Sequence, residues 1–83
     1  MVRAVRVTVP LDRGDQIASV LAQQAVVHDL QYSSSRAVDR ENNVIETCTY
    51  YFKAVEKKMA KIVKVLGEYG VGTAYGSIDV SVT

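Results

Sequence analysis

The chain has 83 residues, of which 48% are hydrophobic and 23% charged, and its net charge at pH 7 is +1. This length allows one small domain, residues 1–83, with the composition of an ordinary globular protein. A net charge so close to zero gives no overall field toward DNA or RNA, so no nucleic-acid partner is expected. No apolar run can span a bilayer and no signal-peptide pattern opens the chain, which predicts a cytoplasmic location.

The first part of the chain predicts a strand followed by a helix. Hydrophobic and polar residues alternate toward the end of residues 2–9, the period of a half-buried strand. Pro10 has no amide donor and is expected to end the pairing. Residues 12–15 form a loop with two carboxylates that can cap a helix. Apolar residues then recur at helical spacing, which predicts a helix over residues 15–25.

The middle of the chain predicts a β-hairpin. Residues 27–38 read as a strand whose serine run is weakly apolar, which favours the edge of a sheet. Residues 39–43 have the composition of a turn, and residues 44–52 are rich in β-branched and aromatic side chains, as a central strand is. The phase of this strand is ambiguous, because placing Val44, Cys48, Tyr50 and Phe52 inward also points the charged Glu46 toward the core. That end of the strand is therefore expected to be exposed or bulged.

A helix and a strand complete the chain. Apolar residues at positions 55, 59, 62 and 66 form one stripe of an amphipathic helix, lysines occupy its remaining surface, and Gly67 and Gly70 are expected to cap its end. Residues 74–82 predict a strand with Ile78, Val80 and Val82 inward. The order β-α-β-β-α-β with right-handed crossovers places both helices on one face of a four-stranded antiparallel sheet. The predicted fold class is α+β, a ferredoxin-like sandwich with strands one and three in the centre.

The sequence shows no residue pattern typical of an active site or a metal centre. His28 is the single histidine and has no nucleophile motif beside it. Cys48 lies within a predicted strand, where it is expected to be buried and inert. The carboxylates lack ligand spacing, so neither a metal nor a cofactor is predicted. We therefore expect that the protein is not an enzyme.

Two other surface features have alternative interpretations. The glycines of residues 70–76 are explained by helix capping and a tight turn, or by an anion-binding nest with Thr73 and Ser77 as helpers. The lysine-rich face of the second helix is expected to be solvated, the alternative being a contact with a membrane surface or an acidic partner. RNA recognition on the open sheet face is not predicted, because the first strand offers Arg6 and Thr8 there instead of aromatic residues.

Two segments together resemble an uncharacterised membrane-protein family. Residues 3–10, RAVRVTVP, and residues 70–80, GVGTAYGSIDV, are similar to the start and the end of a soluble domain in the family known only as domain of unknown function 389. In that family a soluble βαββαβ domain precedes a set of transmembrane helices. The resemblance implies the same fold and an attached or partner membrane protein, and it brings no catalytic residue with it.

A weaker resemblance concerns residues 12–17, DRGDQI, which are similar to the loop between the first strand and first helix of amino-acid-sensing ACT modules. Nitrogen-signalling PII proteins share the fold, but their long loop between strands two and three corresponds here to the short segment 36–43. The ACT resemblance implies a small-molecule ligand, an amino acid or nucleotide, bound between this loop and the glycine turn. The residues implied are Asp12, Arg13, Gly14, Asp15, Gly70, Gly72 and Thr73.

The function expected first is a regulatory or assembly module that self-associates, and small-ligand sensing is the alternative. A domain this small without disulfides or metal gains stability from forming a homo-oligomer. Two lysine-rich helix faces would repel each other, so association is expected through the open sheet face and the sheet edges. The expected interface residues are Thr8, Thr49, Tyr51, Tyr75, Ser77 and Asp79.

Overall fold

The computed structural model describes residues 1–82, and its elements follow the predicted order. The strands are β1 (Val2–Pro10), β2 (His28–Val38), β3 (Val44–Val55) and β4 (Ser77–Val82), and the helices are α1 (Gly14–Ala22) and α2 (Met59–Glu68). A turn of 3-10 helix leads into each helix, at Leu11–Arg13 and Glu56–Lys58. The predicted inward side chain of Val82 lies outside what the structure describes.

Three predicted boundaries are wrong. Helix α1 ends at Ala22 instead of residue 25, because the chain turns there to reach β2. Strand β3 continues to Val55, which therefore belongs to the sheet and not to the apolar stripe of α2. Strand β4 begins only at Ser77, since residues 71–75 form a turn closed by an isolated bridge. Gly67 lies within α2, and only Gly70 has the positive φ of a left-handed cap.

The four strands form one antiparallel sheet in the order β2-β3-β1-β4. Strands β1 and β3 are central, as predicted, and the predicted ferredoxin-like α+β fold is confirmed. Alternate residues of both central strands point toward the helices and form a single core with them. The largest fully buried side chains of this core are Val7, Val9, Ile17, Leu21, Ile62 and Leu66.

Of the two described residues of β4 that were predicted to point inward, one is not buried. Ile78 packs against the core, but Val80 on the same strand is 48% exposed. Because β4 is an edge strand, the end that carries Val80 lies beyond the cover that the helices provide. The prediction that Val80 is a core residue is therefore wrong.

The start of α1 packs directly on β3. The hydroxyl of Tyr50 donates a hydrogen bond of 2.6 Å to the carbonyl oxygen of Gly14. A Cβ atom at Gly14 would lie 3.0 Å from the sulfur of Cys48. Cys48 is a free, buried cysteine, as predicted. Glycine at position 14 thus allows the helix to approach the sheet closely.

Strands β2 and β3 extend beyond the sheet as a two-stranded ribbon. The last residue of β1, Pro10, pairs with Thr47, and the pairing of β1 ends there, as predicted. The β2–β3 ladder continues for three more pairs, Arg36 with Glu46, Ala37 with Ile45 and Val38 with Val44. We call residues 36–46 the hairpin arm. Glu46 is exposed there, as predicted, because no third strand or helix lies beside it.

Candidate functional site

The face of the sheet opposite the helices is uncovered, and its side chains form rows across the strands. One row joins Ser33, Thr49, Thr8 and Ser77, with 3.4 Å between the hydroxyl oxygens of Thr8 and Thr49. The next row joins Gln31, Tyr51, Arg6 and Asp79. The side chains of Thr8, Thr49, Tyr51, Ser77 and Asp79 therefore share the open face, as the sequence predicted. Their role in an interface stays a prediction.

Tyr75 was also predicted to lie on the open face, and this prediction is wrong. It lies in the turn before β4, and its ring packs against the core on the helix side of the sheet. Its hydroxyl donates a hydrogen bond of 2.7 Å to the carbonyl oxygen of Tyr69. Gly76, with φ +69, separates Tyr75 from β4, and a Cβ there would lie 2.4 Å from the carbonyl oxygen of Thr8. Position 76 requires glycine because the backbone passes so close to Thr8 of β1. As a result of this turn, Tyr75 does not lie on the open face.

A groove of about 530 Å³ lies on the open face, at the end of the sheet away from the hairpin arm. Within it, Nη2 of Arg6 lies 3.0 Å from Oδ2 of Asp79. The ring of Tyr51 is 45% exposed beside this ion pair. Further charged and polar side chains of the groove are Lys53, Asp29 and Gln31. The groove thus combines an aromatic ring with groups of both charges.

An irregularity in β2 shapes one side of the groove. His28 pairs with Lys53 and Gln31 pairs with Tyr51, so two residues of β2 stand opposite the single residue Phe52. This is a β-bulge, which redirects side chains at the edge of a sheet. Asp29, the first of the two extra residues, has φ +55, an uncommon conformation for a residue with a Cβ atom. The sequence contained no signal for this bulge.

The two loops implied by the ACT resemblance lie next to each other. The guanidinium carbon of Arg13 is 5.1 Å from the centre of the Tyr75 ring, and Gly70 faces the same ring. Gly14, in contrast, is buried against Cys48 and Tyr50 of β3. Asp12 and Asp15 are exposed. A ligand site at these residues and at Gly72 and Thr73 stays a prediction.

The glycine turn does not have the geometry of an anion-binding nest. The backbone amides of residues 70–75 all donate to carbonyl oxygens of the same segment or of α2. The Thr73 hydroxyl donates to the carbonyl of Gly70 at 3.3 Å. Because these donors already have acceptors, an anion would have to displace the turn's own hydrogen bonds. The alternative interpretation, helix capping at Gly70 and a tight turn, is the one that fits.

Two electrostatic contacts lie close to the ends of β3. Arg3 donates a 2.7 Å hydrogen bond to Glu56, which lowers the pKa of that carboxyl group. In the turn of the hairpin arm, Asp39 accepts hydrogen bonds from the amides of Asn43 and Glu41, and these lower its pKa. Inside the core, burial raises the pKa of the Tyr50 hydroxyl.

Within residues 1–82, no cluster of histidine, cysteine and acidic side chains has the arrangement of a metal site. In the same part of the chain, neither helix is long and apolar enough to cross a membrane. His28 is exposed at the start of β2, and the lysines of α2 lie on its exposed face. The open face with its groove and the hairpin arm are therefore the features that remain to be explained.

Sequence reasoning placed Tyr51 and Asp79 on the open face but missed the groove. Its other members, Arg6, Lys53, Asp29 and Gln31, were not predicted as site residues. Strand alternation could have placed Lys53 on the same face as Tyr51, whereas the register of β1 with β3 makes Arg6 the neighbour of Tyr51. Asp29 joins them only through the bulge, which depends on the pairing of β2 with β3.

No family model and no curated protein matches the chain. Among solved structures, it is similar to a DUF3240-family protein from Shewanella baltica OS155, with a TM-score of 0.78 and 12% sequence identity. The alignment covers 98% of this chain and 89% of that one. At this level of identity the likeness shows the fold alone. The resemblances to domain of unknown function 389 and to ACT modules stay predictions, and the chain has a ferredoxin-like α+β fold.

Proposed function

We propose that this chain is a non-enzymatic assembly module that self-associates through its hairpin arm and regulates an attached or partner protein in the cytoplasm. The observation that carries the proposal is the exposure of apolar side chains on the arm. Val38 is 65% exposed and Val44 is 62% exposed, and they are paired with each other across the ribbon. A two-stranded ribbon is marginally stable by itself, and a second copy would cover these side chains.

The charges of the arm are self-complementary. Arg36 and Glu46 are register partners, and both are exposed. Within the described residues, neither takes part in an ion pair. A two-fold axis beside the arm would set Arg36 of one copy against Glu46 of the other and repeat the contact by symmetry. Such an interface needs a second copy of this chain and no other partner.

The base of the arm offers a further contact for that second copy. A depression of about 310 Å³ lies there, lined by Leu11 and by five polar or charged residues, Ser34, Ser35, Arg36, Glu46 and Thr47. Leu11 is a large apolar side chain exposed at the surface. A valine of the partner's arm would fill the depression as an anchor, the arrangement in which a few residues supply most of the binding energy. The row of Thr8, Thr49 and Ser77 lies on the other face of the sheet from Val38 and Val44 and is not part of this contact.

The test is the mass in solution, measured by light scattering over a range of protein concentrations. We expect an oligomer for the wild type. V38K and V44K each place a charge on the arm and are expected to shift the mass toward the monomer, with unchanged circular dichroism. V63K is the matched control, because Val63 is an exposed valine on α2, away from the arm. A monomeric wild type at high concentration, or arm variants with the wild-type mass, would overturn the proposal.

Small-ligand sensing is the second candidate function. The groove on the open face supports it, since its size is that of a small-molecule site and charged groups converge in it. The arm and the groove lie at opposite ends of the sheet, so assembly and ligand binding are compatible in one molecule. A change of mass on addition of a ligand would support sensing; an unchanged oligomer would support assembly alone.

A further inference from the structure

We infer that the groove on the open face is a binding site for a small zwitterion, a molecule that carries an anionic group and a cationic group on an apolar body. This inference rests on the second candidate function, small-ligand sensing, and names its class of ligand; it is independent of the proposed assembly, because the groove and the hairpin arm occupy different ends of the sheet. It also differs from the ACT-type site at residues 12–15, which lies near the arm end.

The first argument is the size and the floor of the groove. Its volume of about 530 Å³ falls within the roughly 300–1,000 Å³ typical of small-molecule sites. Ala4, Arg6, Tyr51 and Lys53 are among the residues that line it. An exposed aromatic ring beside arginine and lysine side chains is a surface on which a flat or apolar group packs.

The second argument is the balance of charge. The groove contains two cationic groups, Arg6 and Lys53, and two carboxylates, Asp29 and Asp79. Arg6 and Asp79 satisfy each other in an ion pair. Lys53 and Asp29 have no ion-pair partner among the described residues. A phosphate-rich ligand would meet as many carboxylates as cations, whereas a zwitterion offers an anion to Lys53 and a cation to Asp29.

The third argument is the bulge that brings Asp29 to the groove. The extra residue in β2 lets Leu30 pack against the core while Asp29 lines the groove. Asp29 adopts a left-handed conformation with φ +55, which glycine adopts freely and aspartate only occasionally. Strained residues of this kind persist where the surrounding structure holds them, and they cluster at ligand sites.

The experiment is an NMR titration of the full chain with two zwitterions of different span, L-phenylalanine and para-(aminomethyl)benzoate. Phenethylamine and hydrocinnamate, which each carry one of the two charges, are the comparison ligands. We expect saturable shifts at the amides of residues 29–31, 51–53 and 79–81 with at least one zwitterion. Loss of either charge should weaken binding about tenfold, the effect of one charge-assisted hydrogen bond.

Two variants separate the site from the fold. K53M removes the cation, and D29N removes the negative charge while keeping a residue that tolerates a positive φ. Each is expected to weaken zwitterion binding about tenfold. K57M on the lysine face and D12N in the loop before α1 are the matched controls and should bind as the wild type does. No saturable binding of either zwitterion, equal binding of a singly charged analogue, or wild-type affinity in both groove variants would overturn the inference.

Discussion

Strand β3 passes through two environments, and the comparison of its two parts shows what determines burial in this sheet. In its second half Tyr50 is 4% exposed and Phe52 is 3% exposed, because β1 and β2 flank the strand and the helices cover it. In its first residues, Val44 lies on the same face as Tyr50 and Phe52 but is largely exposed. The side chains alternate in the same way in both parts, and only the neighbouring elements differ.

This difference teaches that alternation decides which face a side chain occupies, whereas neighbouring elements decide whether that face is buried. From Val44 to Glu46, before Thr47, strand β3 pairs with β2 on one side and with no strand on the other. Among the described residues, the apolar side chains of the hairpin arm therefore have their partners across the ribbon but no further element that covers them, and this supports a role in association.

The largest effect is expected from truncating the two parts of β3 in turn. Phe52→Ala should lower the free energy of unfolding by about 3–5 kcal/mol, because a buried aromatic ring is replaced by a cavity. Val44→Ala should change it by less than about 0.5 kcal/mol, since the side chain is already in water in a single copy. Urea denaturation at a concentration where the protein is monomeric measures both values. Equal losses would contradict the comparison.

A smaller effect is expected where α1 packs on the covered part of β3. Gly14→Ala would favour the helix, but the new Cβ would lie 3.0 Å from the sulfur of Cys48. We expect a net loss of about 1 kcal/mol, because overpacking outweighs the gain in helix propensity. In a Cys48→Ala background the same change should become neutral or stabilising. A loss of equal size in both backgrounds, measured by thermal unfolding, would show that the sulfur is not the obstacle.

The smallest effect is the pH dependence of stability, which involves a carboxyl group near each end of β3. The pKa of Glu56 lies below its ordinary value of 4.5 because of Arg3, and the pKa of Asp39 lies below its ordinary value of 3.8 because of the backbone amide of Asn43. A carboxyl whose folded-state pKa is depressed favours folding above its unfolded pKa. That contribution is lost as the pH falls through the folded pKa.

Stability should therefore decrease as the pH falls below about 4.5. Glu56→Gln and Asp39→Asn should each make the acid side of this profile flatter, and Asp12→Asn serves as the control. The measurement is the melting temperature as a function of pH. Glu56 is exposed and Asp39 is only partly buried, so each change is expected to be small. An unchanged acid side in either variant would mean that the assigned hydrogen bond does not lower the pKa of that carboxyl in the folded state.

Much of the fold could be predicted from local patterns, because the periods of strand and helix report which side chains face the core. The predictions failed where the chain makes close contacts between distant segments. Tyr75 alternates with Ser77 and Asp79 in sequence, yet the turn at Gly76 places its ring on the opposite face. Likewise, nothing in residues 28–31 indicates the bulge that carries Asp29 into the groove.

The sequence by itself determined the order of elements, the central positions of β1 and β3, the buried state of Cys48 and the open-face location of Thr8. These properties depend on residue periodicity and on the handedness of crossovers, which are local or general rules. Only the tertiary structure decided that the β2–β3 ribbon extends past Pro10 as an arm and that Arg6, Lys53, Asp29 and Asp79 line one groove. Those features depend on strand register and on a bulge, because pairing between segments far apart in the chain decides which side chains become neighbours.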